Sequence, residues 1–235
     1  FRPPYTPLTF GTMVGRNVGE YFDAFRRTPM NDWHIENKAE FENVGQWKRA
    51  WYYPINNETM HEAVQRESKA ARDSAGILDA STLGKIDIQG TDASEFLNRV
   101  YTNAWSKLAI GKCRYGLMLN EDGMVYDDGV TTRLDENHYI MTTTTGGAAN
   151  VLSKLEDYLQ TEWPELDVYL SSVTDHYATA SVCGPNSKKI LNKIIPDLDL
   201  SDENFPHMSF KNAKIGNIKC RVMRISFTGE HSYEI

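Results

Sequence analysis

Two short stretches of the chain carry the side chains best suited to chemistry. Tyr115-Gly-Leu-Met-Leu-Asn-Glu-Asp-Gly-Met-Val-Tyr-Asp-Asp128 and Phe227-Thr-Gly-Glu-His-Ser-Tyr-Glu-Ile235 each read as a strand, a polar glycine turn and a returning strand. Each places a carboxylate just past the turn, beside a tyrosine. Two acids on rigid hairpins with aromatic neighbours suit a small, nitrogen-rich substrate.

In an extended segment Asp127 and Asp128 face opposite sides. Asp128 shares its face with Tyr126 and Val130 and is expected to be the inward one. A buried carboxylate is costly unless paired, which makes Asp128 a functional candidate; the alternative is an acid that merely ends a hairpin turn. Glu234 could accept two parallel hydrogen bonds from a donor–donor edge such as a guanidinium or an aminopyrimidine; the alternative is a solvent-facing strand residue. Tyr115 reads as either core or a stacking platform. The run Thr142-Thr-Thr-Thr-Gly-Gly147 has strong β propensity and breaks before a helix, so its last hydroxyl can cap that helix or meet a ligand.

The elements that must hold these groups follow from the pattern. Residues 1 to about 27, opening on Arg2-Pro-Pro-Tyr-Thr-Pro, read as a proline- and glycine-rich connector. Trp33, Trp47 and Trp51 crowd the next segment and suit a core edge or a subunit contact. Thr59-x-x-Glu62 predicts a capped helix that stops at Gly76. Leu83 to Gln89 alternates as a half-buried strand. A hairpin over about 114–133, a strand at Tyr139–Thr143 and a helix over about 147–160 follow. Gly90 to Val100 resembles Gly184 to Ile194 at a constant offset of 94 residues, with Gly, Leu and Asn repeated, which suggests a duplicated strand–helix unit. Strands and helices interleave without regular βαβ order, so the expected class is α+β with antiparallel hairpins.

Composition narrows the function. The net charge of −7 without a basic stripe argues against a nucleic-acid binder. No apolar run is long enough to span a bilayer, and the start lacks a signal-peptide pattern. Cys113, Cys183 and Cys220 show no paired spacing and read as reduced thiols, consistent with a cytoplasmic protein. The six histidines form no metal-ligand pattern, so no metal is expected. No GxGxxG or Walker sequence occurs.

Several motifs together resemble the aminomethyltransferase (glycine-cleavage T-protein) family: Thr28-Pro-Met-x-x-Trp-His34, Gly76-Ile-Leu-Asp-Ala-Ser81, the 115–128 hairpin and Phe227-Thr-Gly-Glu-x-x-Tyr-Glu-Ile235. The resemblance covers about residues 28–235. Asp79-Ala-Ser-Thr-Leu-Gly-Lys85, Tyr101-Thr-Asn-Ala-Trp-Ser-Lys107 and Met141-Thr-Thr-Thr-Thr-Gly146 are closer to the folate domain of heterotetrameric sarcosine oxidase alpha subunits. The resemblance implies the aminomethyltransferase folate-binding fold without its C-terminal barrel, incomplete at its end and truncated from a larger polypeptide. It implies a tetrahydrofolate site in which Glu234 accepts from the pterin, Tyr115, Thr144 and Leu83 line the folate, and Asp128 is the catalytic acid–base or electrostatic group. The implied reaction converts a flavin-generated imine to methylenetetrahydrofolate plus glycine, with FAD, FMN and NAD held only by other parts of the parent enzyme and other sarcosine oxidase subunits as partners. Thr82, Leu83 and Thr144 stand where the T-protein pattern has His, Met and Asn, in keeping with the oxidase branch. The alternative is a truncated, non-catalytic module that only contacts partner subunits.

Overall fold

The computed structural model describes residues 9–11, 15 and 23–235. Most of the expected connector, with its proline-rich opening, lies outside the described residues. Helix α1 (Asn31–Glu36) leads into a hairpin of β1 (Glu40–Val44) and β2 (Trp47–Tyr52). Helix α2 (Met60–Asp73) begins where the sequence sets it. The Glu62 N–H donates to Thr59 Oγ1 and the Thr59 N–H donates to Glu62 Oε2, a complete capping box. It ends before Gly76, which already belongs to strand β3 (Gly76–Asp79).

The next elements are β4 (Gly84–Gln89), α3 (Ala93–Val100), β5 (Cys113–Leu119), β6 (Val125–Asp135) and β7 (His138–Thr143). Then come α4 (Ala148–Asp157), β8 (Tyr169–Ser172), β9 (Ala180–Cys183), α5 (Ser187–Ile194), β10 (Ser209–Ile215), β11 (Ile218–Arg224) and β12 (Ser232–Glu234). Two five-stranded sheets result, in the orders β5-β6-β7-β4-β8 and β10-β11-β12-β9-β3. All their pairings are antiparallel, as the α+β expectation requires. No barrel occurs among the described residues.

The repeat seen at residues 90 and 184 extends much further in space. β4-α3-β5-β6-β7 and β9-α5-β10-β11-β12 run through identical topologies and identical strand orders. Gly90 (φ 138°) and Gly184 (φ 101°) turn the chain from strand to helix in the same left-handed conformation. Tyr139 opposite Ile88 matches Tyr233 opposite Val182, and both tyrosines are fully buried. Each unit is completed by a strand from the other: β3 joins β9, while β8 joins β4.

Each unit has its own core. Ile86, Ile88, Phe96, Leu97, Trp105, Met141 and Leu155 are buried in the first; Val182, Leu191, Phe205, Val222 and Tyr233 in the second. The opposite face of the first sheet carries Lys85, Val130, Thr132, Ile140 and Thr142, and it looks onto a cavity shared with the second.

β6 reaches this cavity through a tight contact with β7. A Cβ at Gly129 would lie 1.9 Å from the Thr142 carbonyl oxygen. Next to it, Thr142 Oγ1 accepts from the Val130 N–H at 3.0 Å. Backbone cannot yield as a flexible side chain does, so Gly129→Ala is expected to destabilise the fold by about 3 kcal/mol. Thermal melts should then show Tm lowered by roughly 6–12 °C.

Candidate active site

The central hairpin separates its two acids, with the opposite outcome from the sequence expectation. Asp127 is the buried one, 4 % exposed, on the face that packs under the turn after β7. Its Oδ1 accepts from the Thr144 hydroxyl at 2.6 Å, and the Thr144 N–H points at the same carboxylate. Thr144 Oγ1 in turn accepts from the Gly147 N–H at 3.2 Å, at the start of α4. Thr144 is therefore the hydroxyl that organises this helix start, while Thr145 bonds to Thr82 at 3.0 Å. Burial lifts the Asp127 carboxyl above the ordinary value, and the Thr144 hydroxyl and amide work against that lift.

Asp128 is half-exposed, not inward. Tyr126, on the same parity, leans on the first core, and the local irregularity of the hairpin between Met118 and Leu119 defeats a simple two-residue alternation. Asp128 instead lies two residues from cavity-lining Val130 on one strand face. The hydroxyl of Tyr115, itself 49 % exposed, donates to Asp128 Oδ2 at 2.8 Å. That bond raises the Tyr115 phenol above its ordinary value. Tyr115 is thus a surface ring fastened to an acid, not a core residue.

The cavity between the sheets encloses about 730 Å³, well within the range of small-molecule sites. Its wall is largely apolar, with Val130, Ile140, Val182 and Met223 from both sheets. Glu234, at the end of β12, is the only carboxylate among the described lining residues. No hydrogen bond to it occurs among the described residues. Burial raises its carboxyl above the ordinary value, and the positive charge of Lys85 opposes that rise. Arg221 also lines the cavity, steadied by a 3.0 Å bond from Nη1 to the Tyr177 hydroxyl.

Leu83 is half-buried in the turn between β3 and β4 and does not line the cavity; its carbonyl accepts from Lys85 Nζ at 2.8 Å. Of the five residues singled out from sequence, Glu234 alone lines the cavity; Tyr115 and Asp128 touch each other outside its lining, and Leu83 and Thr144 stand in the turns that follow β3 and β7. Among the described residues, no cluster of three or more His, Cys, Asp or Glu side chains is arranged to hold a metal ion. No described helix is long and apolar enough to cross a membrane.

The model of the GCVT N-terminal domain matches residues 30–235 of this chain. The chain belongs to the GCVT N-terminal domain family. It is 55% identical over 236 residues to sarcosine oxidase subunit alpha of Corynebacterium sp. (strain P-1), covering 100% of this chain and 24% of that protein. Against the corresponding subunit of Rhizobium meliloti (strain 1021) the identity is 48% over 238 residues, again covering 100% of this chain and 24% of the relative. The aminomethyltransferase of Thermotoga sp. (strain RQ2) is 28% identical over 210 residues, covering 89% of this chain and 54% of that protein. In the solved structures, glycine cleavage system aminomethyltransferase T from Bartonella henselae shares the fold, with a TM-score of 0.74 at 23% identity over 89% of this chain and 52% of that one. The chain therefore spans about a quarter of the length of the sarcosine oxidase subunits it matches.

Two groups of this GCVT domain escaped the sequence reading. Lys85 belongs to the alternating strand β4, and nothing in the alternation says that a second sheet covers that face. His34, Asp79 and Tyr53 form a buried chain, with His34 Nε2 2.8 Å from Asp79 Oδ2 and Nδ1 2.6 Å from the Tyr53 hydroxyl. Burial opposes ionisation of Asp79, yet hydrogen bonds from Ser81, Thr28 and His34 outweigh it and hold the carboxyl below its ordinary value. Burial first, then the charges of Asp79 and Glu67, pushes Tyr53 up to about 12. Long sequence separation hid this chain. Its effect is to pin α1 and the loop bearing cavity-lining Met30 onto the end of β3.

The division of labour between the two acids is open to measurement. Asp127→Ala leaves the Thr144 hydroxyl and amide without an acceptor and is expected to destabilise the GCVT domain by about 2–3 kcal/mol. In a melt this lowers Tm by roughly 4–12 °C. Asp128→Ala, at a half-exposed position, should leave Tm within about 2 °C of the parent. Because the folded value of Asp127 is raised, its charge weakens the fold above that value. That penalty disappears as pH falls below the ordinary carboxylate range.

Proposed function

We propose that this GCVT domain binds tetrahydrofolate in the inter-sheet cavity and serves one-carbon transfer in a sarcosine-oxidase-type enzyme. The observation that carries the reading is Glu234: a lone carboxylate in a largely apolar cavity, with no hydrogen-bond donor from the described residues. Half-buried and without a protein donor among the described residues, this carboxylate is open to a donor from a ligand in the cavity. The amino-pyrimidine edge of a pterin presents two parallel N–H donors, the pattern a carboxylate accepts best.

Tetrahydrofolate, when bound, supplies the nitrogens that accept the one-carbon unit. Tyr115 holds Asp128 through Oδ2, leaving Oδ1 as the acceptor free among the described residues. Asp128 then takes a proton at that oxygen, or steadies a neighbouring positive charge, without moving from its strand. Leu83 and Thr144, in turns outside the cavity lining, are assigned as further folate contacts from the family resemblance alone. The imine substrate, sarcosine-derived and made by flavin chemistry, would come from other parts of the enzyme. FAD, FMN and NAD are assigned there, together with the other subunits, and the products are methylenetetrahydrofolate and glycine. Domain limits of 28–235 for the folate module belong to the same proposal.

Isothermal titration with tetrahydrofolate tests it. Micromolar binding that is lost in Asp128→Ala and Glu234→Ala supports the folate reading. Absence of binding would favour a module that only contacts partner subunits, for which the exposed rings of Trp33 and Trp51 offer a surface.

A further inference from the structure

Lys85 is 4 % exposed, yet no carboxylate lies within ion-pairing distance of it among the described residues. It belongs to β4 of the first sheet. Its ammonium crosses to the turn that ends β3 of the second, where Nζ donates to the carbonyls of Leu83 (2.8 Å), Ser81 (3.2 Å) and Ala80 (3.4 Å). Lys85 lines the same cavity as Glu234, from the opposing sheet. A lysine with three backbone acceptors is held in place, and its charge acts across the cavity instead of through contact.

We propose that Lys85 is a positioning residue for Glu234: its fixed ammonium, on the facing wall, keeps the Glu234 carboxylate ionised and available as an acceptor, while clamping the turn that bears Leu83. This rests on the reading of Glu234 as the ligand's acceptor, but its electrostatic content is independent of which ligand binds.

The positive charge that opposes the rise at Glu234 is that of Lys85. Of the other charged or titratable groups lining the cavity, Arg221 is engaged with Tyr177, while Lys219 and His176 come from β11 and the turn before β9. The acids that act on Lys85 besides Glu234 are Asp79 and Asp175. Asp79 is committed to His34, and Asp175 to Arg26 at 2.7 Å. The Cys113 thiol, pushed up to about 11 chiefly by burial, also feels the Glu234 charge. Burial drives Lys85 down to about 8 against the pull of these acids, so its own charge is lost within an accessible range.

Carbon-13 NMR of the intact protein, labelled at the glutamate carboxyl carbons, reads the effect without any ligand. The Glu234 resonance is assigned by its loss in Glu234→Gln. In Lys85→Gln, which keeps two of the three N–H donors but sheds the charge, the Glu234 midpoint is expected to rise by about one pH unit, tenfold in proton affinity. Lys85→Arg should leave it near the parent value. In the unmutated protein the same resonance should bend a second time near pH 8, as Lys85 loses its proton. That inflection decides the matter even if the variants fail to fold. A Glu234 midpoint unmoved by Lys85→Gln, or a parent curve flat around pH 8, would overturn the proposal. Failure of tetrahydrofolate to bind the parent would strike the folate reading alone.

Discussion

Asp128→Asn is expected to lower methylenetetrahydrofolate formation in the assembled enzyme by about 10²-fold or more, the scale on which a positioned acid–base group acts. Flavin-dependent oxidation of the amine, which the proposed function assigns to other parts of the parent enzyme, should continue at its original rate. The two readouts separate loss of a catalytic carboxylate from loss of the fold. Asp128 is half-exposed and bonded only through Oδ2 to Tyr115, so an isosteric amide disturbs no buried partner. Tyr115→Phe removes the hydroxyl that fixes the acid and should cost less, about tenfold, because the charge remains while its aim is lost. Equal rates of product formation in parent and Asp128→Asn enzyme would remove Asp128 from the chemistry.

Glu234 predicts a different signature, in affinity. Glu234→Ala is expected to weaken tetrahydrofolate binding by about 10- to 100-fold, since a hydrogen bond to a charged acceptor contributes about 1.5–3 kcal/mol. Glu234→Gln should lose nearly as much, because its amide nitrogen sets a donor against a donor. The same substitution should make the ligand-free protein more stable. Burial raises the folded value of Glu234 above that in the unfolded chain. Above the folded value the buried charge therefore weakens the fold in full, and the penalty fades as pH falls through the folded value towards the unfolded one, near 4.3. A neutral amide removes it at every pH. Melts at pH 7 should show Glu234→Gln above the parent without ligand and below it with tetrahydrofolate at saturation. Unchanged affinity in Glu234→Ala would sink the assignment.

Local signals carried much of this structure into the sequence. The Thr59–Glu62 capping box, the alternation in β4 and the glycine turn of the central hairpin are decided within a few residues, and each element stands within a few positions of its expected place. The repeat around Gly90 and Gly184 was visible because both positions need a left-handed glycine. The hairpin of β10 and β11 was harder to see, since Lys211 on one face and Lys214 and Lys219 on the other interrupt its apolar pattern, and its Gly216–Asn217 turn is the clearest signal. The aminomethyltransferase resemblance rested on motifs spread along the chain, and the family match over residues 30–235 bears it out. The inward-facing acid is Asp127 and not the expected Asp128, because parity in one strand does not reveal which face meets a helix and which a second sheet. Lys85 and the His34–Asp79 pair were hidden for a related reason: their partners come from distant segments, and periodicity says nothing about those.

The reciprocal loan of β3 and β8 changes what counts as a unit in this molecule. A single repeat standing alone would carry one strand with no sheet to join and one sheet edge with no strand to cover it. Both needs are met at once only by a second copy, the logic of a domain-swapped dimer. The chain is such a dimer written as one polypeptide. Freed from the requirement that both copies be the same, equivalent positions in the shared hollow hold Ile140 and Glu234, so a symmetric frame encloses a hollow with unlike walls.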